Sequence, residues 1–374
     1  CELARMHADE SHVGQHYALW LEEKGLKNWA DYFQPWPPPP RTDNERYFLR
    51  EQRSWNLPDS LHHSTWIAER TIAHIDRCAD EGRPFFLWSS FFDPHPPYRV
   101  PEPWAGMYDP RAMVIDKPYR DGEFDRMPPH YARTREAKPD FRYLYDQVNR
   151  HGLHGVHSHL QAEDALRRDI ACYYGMTSLM DREIGRILDA LDRRGLAEET
   201  LVVFTSDHGH FIGQHGLIAK GPFHYEDVIR VPMIARWTGR IPAGRVSTSL
   251  QSLLDYPATF LSGAGLEVPG WMQGLDQLGC WEGAGGCPRD HVVCENRHNP
   301  TKMHLRTWVD DRYKITVYRG ETYGELFDLQ ADPDERNNLW HDPAAQRLKG
   351  DLLFRFMQSV LESEPTRMQR IAGA

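Results

Sequence analysis

The chain has 374 residues, of which 26% are charged and 40% hydrophobic, a make-up long enough for one large core and a smaller second domain. Its formal charge of −10 excludes a broad nucleic-acid face, because a polyanion is held by a basic surface, yet leaves room for a small anionic substrate gripped by local cations. No apolar run approaches the roughly 18 residues of a membrane-spanning helix.

The chain opens on Cys1 without a basic and apolar leader and reads as a piece of something longer, so the compartment, cytoplasm or periplasm, stays unassigned. An oligomer is compatible with the composition. Cys1, Cys78 and Cys172 are scattered, whereas Cys280, Cys287 and Cys294 recur at intervals of seven. With no Cys-x-x-Cys pair a structural zinc site is not expected; free buried thiols are the preferred reading, ahead of a Cys280–Cys287 disulfide.

Residues 16–25 predict a short helix stopped by Gly25. Trp and Pro crowd 28–58, including the prolines at 37–40, and predict an irregular stretch on the surface. Over 61–80, Trp66, Ile67, Ile72, Ile75 and Cys78 fall largely on one face of a helix that Gly82 ends. The near-continuous apolar run at 85–92 then predicts a central strand covered on both faces. Prolines on both sides of His95 bar it from helix or sheet and hold the imidazole rigidly at that strand's exit. The irregular 99–160 predicts an active-site lid or wall. Within it His151, His154, His157 and His159 resemble a metal cluster, but the glycines between them and the lack of a carboxylate in register favour a solvated loop.

A long helix is predicted over 162–194, where Ile170, Tyr173, Tyr174, Met180, Ile184, Ile187, Leu188 and Leu191 keep helical spacing, and Gly195 closes it. A buried strand at 201–205 follows and runs into Thr205-Ser206-Asp207-His208-Gly209. The carboxyl end of such a strand is where open α/β sheets carry their chemistry. Neighbouring residues on a continuing strand face opposite ways, so Asp207 and His208 can share a cation only if the chain turns, which Gly209 permits. Two ligands do not complete a site, and others must come from elsewhere. His215 and Lys220 follow, before an edge or late strand at 231–235; Lys220 supplies a point charge for oxygens on sulfur or phosphorus. A helix is expected over 249–261, and the eight glycines of 263–286 mark the boundary between domains 1–265 and 266–374. Four short strands, 291–295, 304–309, 313–318 and 325–329, predict an antiparallel meander closed by a helix at 344–361.

Three stretches resemble the sulfatase family of the alkaline phosphatase superfamily, in its carboxyl-terminal two-thirds. Phe91-Phe92-Asp93-Pro94-His95-Pro96-Pro97-Tyr98 is similar to the family's Pro-His-x-Pro segment. Thr205 to Gly209 is similar to its second metal-binding motif, which Lys220 completes thirteen residues after Asp207. The ending, from Leu305-Arg306-Thr307 through Glu325-Leu326-Phe327-Asp328-Leu329 to Asn338-Leu339, resembles its small terminal domain. The resemblance implies an α/β fold, with an alkaline phosphatase-like mixed sheet sandwiched by helices and a small C-terminal α+β domain built on a four-stranded antiparallel sheet.

It implies further that Asp207 and His208 bind a divalent cation, calcium first with manganese or magnesium as alternatives, that His95 is a catalytic general acid, and that Lys220 holds the substrate's oxygens. His215 and Arg297 are candidate substrate contacts for a sulfate ester, including a sulfated sugar, although solvated turn residues are the preferred reading around 295–299. The family's paired aspartates, its Cys/Ser-x-Pro-x-Arg nucleophile matured to formylglycine and its Lys-x-His element are not found in register. Cys1-Glu2-Leu3-Ala4-Arg5 lacks the proline, and Ser363-Glu364-Pro365-Thr366-Arg367 matches only as a coincidence at a helix tail. The expectation is a sulfatase-like hydrolase whose formylglycine lies upstream, inactive as these 374 residues. A phosphonate monoester or phosphodiester hydrolase of the same superfamily is the alternative. A non-catalytic partner subunit is the alternative of another class, opposed by the joint retention of His95, Asp207, His208 and Lys220.

Overall fold

Apolar spacing builds the first elements much as the periodicity predicts. In the computed structural model, which describes residues 16–32, 55–96, 98–136, 162–297 and 303–364, helix α1 (His16–Glu23) packs Tyr17, Trp20 and Leu21 against Trp66 and Ile67 of α2 (His63–Asp80). Two compact units emerge: residues 1–116 with 159–197, and residues 117–158 with 198–374. The expected boundary at 265/266 therefore falls inside the second unit.

In the first unit α2 packs along α3 (Glu163–Arg193), whose buried stripe is Ala171, Gly175, Met176, Leu179 and Glu183. Of the large residues expected there, Ile170 and Leu191 are buried as predicted, whereas Tyr174 is exposed and the small Gly175 is buried. A Cβ on Gly175 would stand 2.4 Å from the Trp104 carbonyl oxygen, so glycine there allows the backbone at 104 to lie against the helix. Buried Glu183 is held between the Arg182 and Arg186 guanidinium groups at 2.7 and 2.5 Å.

The run 85–92 is extended but is not a strand. Phe85, Leu87 and Ser89 are half-buried while Phe86 and Trp88 are 73% and 81% exposed, so one face is packed and the other is open. A strand exists through the ladder it shares with a neighbour, and no strand among the described residues pairs with this segment.

The second unit holds three antiparallel sheets among the described residues. β1 (Val202–Thr205) pairs with β4 (Met233–Arg236), from Val202 opposite Arg236 to Thr205 opposite Met233. β2 (Phe211–Ile212) and β3 (Ile218–Ala219) form a short hairpin. Of the mixed sheet expected between helices, the described residues show an antiparallel β1–β4 ribbon that is only half-buried. β5 (Val292–Arg297), β6 (His304–Val309), β7 (Tyr313–Tyr318) and β8 (Gly324–Asp328) make the predicted four-stranded meander in sequence order. One face packs Trp308, Ile315 and Leu326 on Leu352 and Phe356 of the closing helix, Gln346–Glu362. Phe327 joins Phe124, Tyr131, Phe211, Leu217, Phe223 and Tyr225 in a separate cluster. Residues 117–136 are therefore not only a lid or wall, because Phe124, Met127 and Tyr131 enter this core.

The Gly-rich stretch is pinned rather than flexible. Asp255, fully buried at the start of a helix spanning Asp255–Gly263, accepts from Leu275 N at 2.9 Å and Gln277 Nε2 at 3.0 Å and pairs with Arg289. Cys280 and Cys287 form a disulfide, with Cα atoms 5.0 Å apart, which corrects the expectation of free thiols; Cys78, Cys172 and Cys294 remain free. The helix expected from 249 begins at Asp255 because Ser252 N already donates to its carboxylate at 2.9 Å, closing a turn. No described helix is long and apolar enough to cross a membrane. Residues 1–5, the prolines at 37–40, the histidines at 151–159 and residues 365–367 lie outside the described residues.

Candidate functional site

The chain leaves β1 at Ser206, whose hydroxyl donates to the His208 carbonyl at 3.0 Å and bends the exit. Asp207 follows, exposed, with Oδ1 accepting from the His208 N–H at 2.9 Å. Gly209 then donates its N–H to the Val228 carbonyl at 2.7 Å. The reason for glycine differs from the one the sequence suggests: a Cβ there would lie 1.9 Å from the Asp227 carbonyl oxygen, so what is required is close approach of two backbones. Gly209→Ala is expected to cost about 1–3 kcal/mol through overpacking, read as a lower midpoint in urea denaturation. An unchanged midpoint would mean that residues 227–228 yield without strain.

The His208 ring is fixed by its own surroundings. Nδ1 lies 2.8 Å from the Gly209 carbonyl oxygen. A carbonyl only accepts, so Nδ1 carries the proton and Nε2 presents its lone pair. That lone pair faces Lys220 Nζ at 2.7 Å, and Nε2 lies 3.3 Å from Asp207 Oδ2. Burial pushes the half-buried Lys220 below the ordinary lysine range, against the pull of the Asp207 charge. Asp207, His208 and Lys220 therefore meet at one spot.

The Asp207–His208 pair fits a shared divalent cation as two of its ligands. Ligands about 2.1–2.4 Å from one ion stand roughly 3–3.5 Å apart, and a ring nitrogen tied to a carbonyl is the usual way a ligating imidazole is aimed. Among the described residues the pair belongs to no group of three candidate ligands.

His215 is placed elsewhere than expected. It is fully buried at φ 53°, its Nδ1 lies 2.5 Å from Glu123 Oε1, and its ring stacks on Tyr225 at 3.9 Å. It has no exposed surface in this fold, unlike the substrate contact expected of it. It is a positioning group instead, tying the β2–β3 turn to Glu123, which Arg336 holds at 2.9 Å. Burial would raise the Glu123 carboxyl, but the hydrogen bonds from His215 and Arg120 and the charges of His215 and Arg336 bring it below its usual range. Asp227, behind Gly209, is likewise raised by burial and lowered overall by His215 and by Lys117, whose Nζ lies 3.0 Å away. Sequence reasoning missed Lys117, Glu123, Asp227 and Arg336, because charges scattered over 220 positions carry no periodicity or motif.

Arg297 ends β5 exposed, opposite His304. The nearby His304 and Arg306 are already engaged by Glu295, at 2.6 and 3.4 Å.

His95 lies in the first unit, half-buried, in a turn closed by its own N–H donating to the Phe92 carbonyl at 2.9 Å. Its Nδ1 lies 2.7 Å from the Pro96 carbonyl oxygen and so carries a proton. Two residues earlier, buried Asp93 accepts from Ser64 Oγ at 2.5 Å and faces His62 and His63 at 3.7 and 3.6 Å. Burial pushes His62 well below the usual imidazole range, helped by the charges of His63 and Arg182. Burial likewise lowers His63 despite Asp93, and raises the Asp93 carboxyl despite His63 and Ser64. The signal for this group was the His62-His63 pair at a helix start, which periodicity alone absorbed into the helix.

A family profile described as Sulfatase matches residues 14–266, and one described as N-sulphoglucosamine sulphohydrolase, C-terminal, matches residues 213–361. An arylsulfatase of Clostridium perfringens is 29% identical over 294 residues, covering 77% of this chain and 55% of its own length. The multifunctional alkaline phosphatase superfamily protein PehA of Trinickia caryophylli is 28% identical over 317 residues, covering 79% and 59%. The phosphonate monoester hydrolase from Silicibacter pomeroyi superposes with a TM-score of 0.74 at 20% identity, over 94% of this chain and 69% of that one, which marks the fold as alkaline phosphatase-like. The chain spans a little over half the length of these two curated relatives, 55% and 59%.

Proposed function

The chain belongs to the sulfatase family of hydrolases, and on that premise we propose that it serves the hydrolysis of sulfate esters, with Asp207 and His208 holding a divalent cation, Lys220 gripping the substrate's oxygens and His95 protonating the leaving group. The observation that carries this reading is the meeting of Lys220 Nζ, His208 Nε2 and Asp207 Oδ2 at the exit of β1. A compact ammonium beside a carboxylate and an imidazole lone pair suits a small tetrahedral anion bound next to a metal. Bound there, a calcium, manganese or magnesium ion would act as a Lewis acid toward the anion's oxygens.

The residues' own tasks follow from their hydrogen bonds. His95 keeps Nδ1–H on the Pro96 carbonyl, so its protonated form presents Nε2–H for the leaving oxygen. His208 keeps Nδ1–H on the Gly209 carbonyl, so Nε2 is the nitrogen with the lone pair, which Lys220 Nζ faces at 2.7 Å and would release to a cation on turning to the substrate's oxygens. His215 and Glu123 keep the hairpin that returns Lys220 in place. The nucleophile is expected to be a formylglycine, and no Cys/Ser-x-Pro-x-Arg motif in register supplies it within these residues.

The test is a comparison of turnover. The 374-residue chain alone is expected to hydrolyse neither an aryl sulfate nor an aryl phosphonate, since losing the nucleophile removes the reaction path. Joined to a segment bearing paired aspartates and a matured nucleophile, it is expected to prefer the sulfate. Turnover by the chain alone would overturn the assignment of the nucleophile. A preference for the phosphonate would favour the phosphonate monoester or phosphodiester reading, which similarity to a relative described as multifunctional also supports. Inactivity of the joined protein on both would leave a non-catalytic partner subunit.

A further inference from the structure

We propose that His62, His63 and Asp93 form a buried site for a divalent transition-metal ion of the zinc class, with three protein ligands and one solvent position. Among the described residues these are the one set of three whose candidate ligand atoms all lie within 4.8 Å of one another. They come from two segments about thirty residues apart, the start of α2 and the end of the 85–92 run, and are 0%, 8% and 6% exposed.

The spacing is that of ligands around an ion and not of a hydrogen bond. His62 Nδ1 lies 3.7 Å from Asp93 Oδ2, and His63 Nε2 lies 3.6 Å from Oδ1. An N–H···O bond closes to about 2.7–3.2 Å, whereas two ligands about 2.1 Å from a tetrahedral zinc stand roughly 3.4 Å apart.

The proton positions point the same way. His62 Nδ1 accepts the backbone N–H of Ser64 at 3.3 Å, so it bears a lone pair. Asp93 Oδ2 accepts the Ser64 hydroxyl at 2.5 Å. Nδ1 and Asp93 Oδ2 therefore stand 3.7 Å apart with no proton between them, and an ion bound there would take the Nδ1 lone pair from its long contact with the Ser64 N–H. The other His62 nitrogen, Nε2, is buried with no hydrogen-bond partner.

The surroundings suit a bound ion. Ser64 Oγ orients the Asp93 carboxylate as an outer-shell donor does. Trp55 lies against both imidazoles, with ring centroids 4.6 and 5.4 Å away, and Phe92 lies 5.5 Å from His63. Two imidazoles and one carboxylate select zinc-class ions over calcium, which takes oxygen ligands. The ion would fasten the amino end of α2 to the segment that enters the His95 turn.

The experiment uses the tag-free chain stripped of metal and titrated with Co²⁺, then with Zn²⁺ in competition. Expected are the visible bands of tetrahedral cobalt, saturating at one ion per chain, bleached by zinc and matched by a zinc-dependent rise in melting temperature. Asp93→Asn and, separately, His63→Gln should weaken binding at least about tenfold to a hundredfold, while Glu267→Gln, at an exposed position outside both groups, should leave the bands unchanged. Absence of the bands from the unmodified chain, or their persistence in Asp93→Asn, would overturn the proposal and leave a hydrogen-bonded cluster. If Asp93→Asn fails to melt cooperatively, His63→Gln and the unmodified chain decide the matter.

Discussion

Replacing Lys314 by methionine is expected to destabilise the second unit by about 3–5 kcal/mol, the usual cost of breaking a buried ion pair from one side. Lys314 on β7 is fully buried, donates to the His224 carbonyl at 2.6 Å and pairs with Glu335, whose side chain is also fully buried. Removing the ammonium leaves that carboxylate desolvated, with Glu226 4.0 Å from the lost nitrogen. Burial pushes Lys314 down to about 8, while the charges of Glu226, Glu325 and Asp227 oppose the fall, so it remains a cation at neutral pH. The sign of the pH effect follows. A folded value below the ordinary 10.5 means that the unfolded chain holds this proton more tightly, so Lys314 makes stability rise with pH between about 8 and 10.5. The methionine variant should lack that contribution. Urea denaturation of Lys314→Met, Glu335→Gln and the double variant tests the pairing: each single change should be costly and the double change less costly than their sum. A Lys314→Met midpoint within about 1 kcal/mol of the parent would refute the pairing.

In a protein that supplies the nucleophile, His95→Asn is expected to lower kcat by about 10² to 10⁴ on a sulfate ester with a poor leaving group. The loss should be far smaller on an activated aryl sulfate, whose leaving oxygen departs without a proton. The split is the informative part, because a merely structural role would slow both substrates alike. The His95 turn is closed by its backbone bond to Phe92, and an asparagine amide can replace the ring nitrogen as donor to the Pro96 carbonyl, so asparagine should leave the backbone in place. Equal losses on the two leaving groups, or none, would remove His95 from the acid's role.

Much of the architecture was legible because it rests on local patterns. The helices at His63–Asp80 and Glu163–Arg193 repeat apolar residues at helical spacing over many turns, and the four strands from Val292 to Asp328 alternate between turn signals. Failure came where an element depends on something distant in the chain. The 85–92 run has every local property of a central strand, yet strand status is conferred by a neighbour. The Gly-rich 263–286 has the composition of a linker, yet Asp255, Arg289 and the Cys280–Cys287 disulfide hold it.

The candidate site divides along the same line. By itself the sequence determined which residue types stand at which spacing: Asp207, His208 and Gly209 at a strand exit, Lys220 thirteen residues on, and His95 between prolines. These were readable because contiguous chemistry survives as a motif. The tertiary structure decided what those residues face. It turned the His208 lone pair toward Lys220, made Gly209 a backbone contact with Asp227, and sank His215 against Glu123. It also drew His62 and His63 to Asp93 from about thirty residues away. A side chain's partner is set by where the folded backbone carries both, and no local pattern encodes that distance.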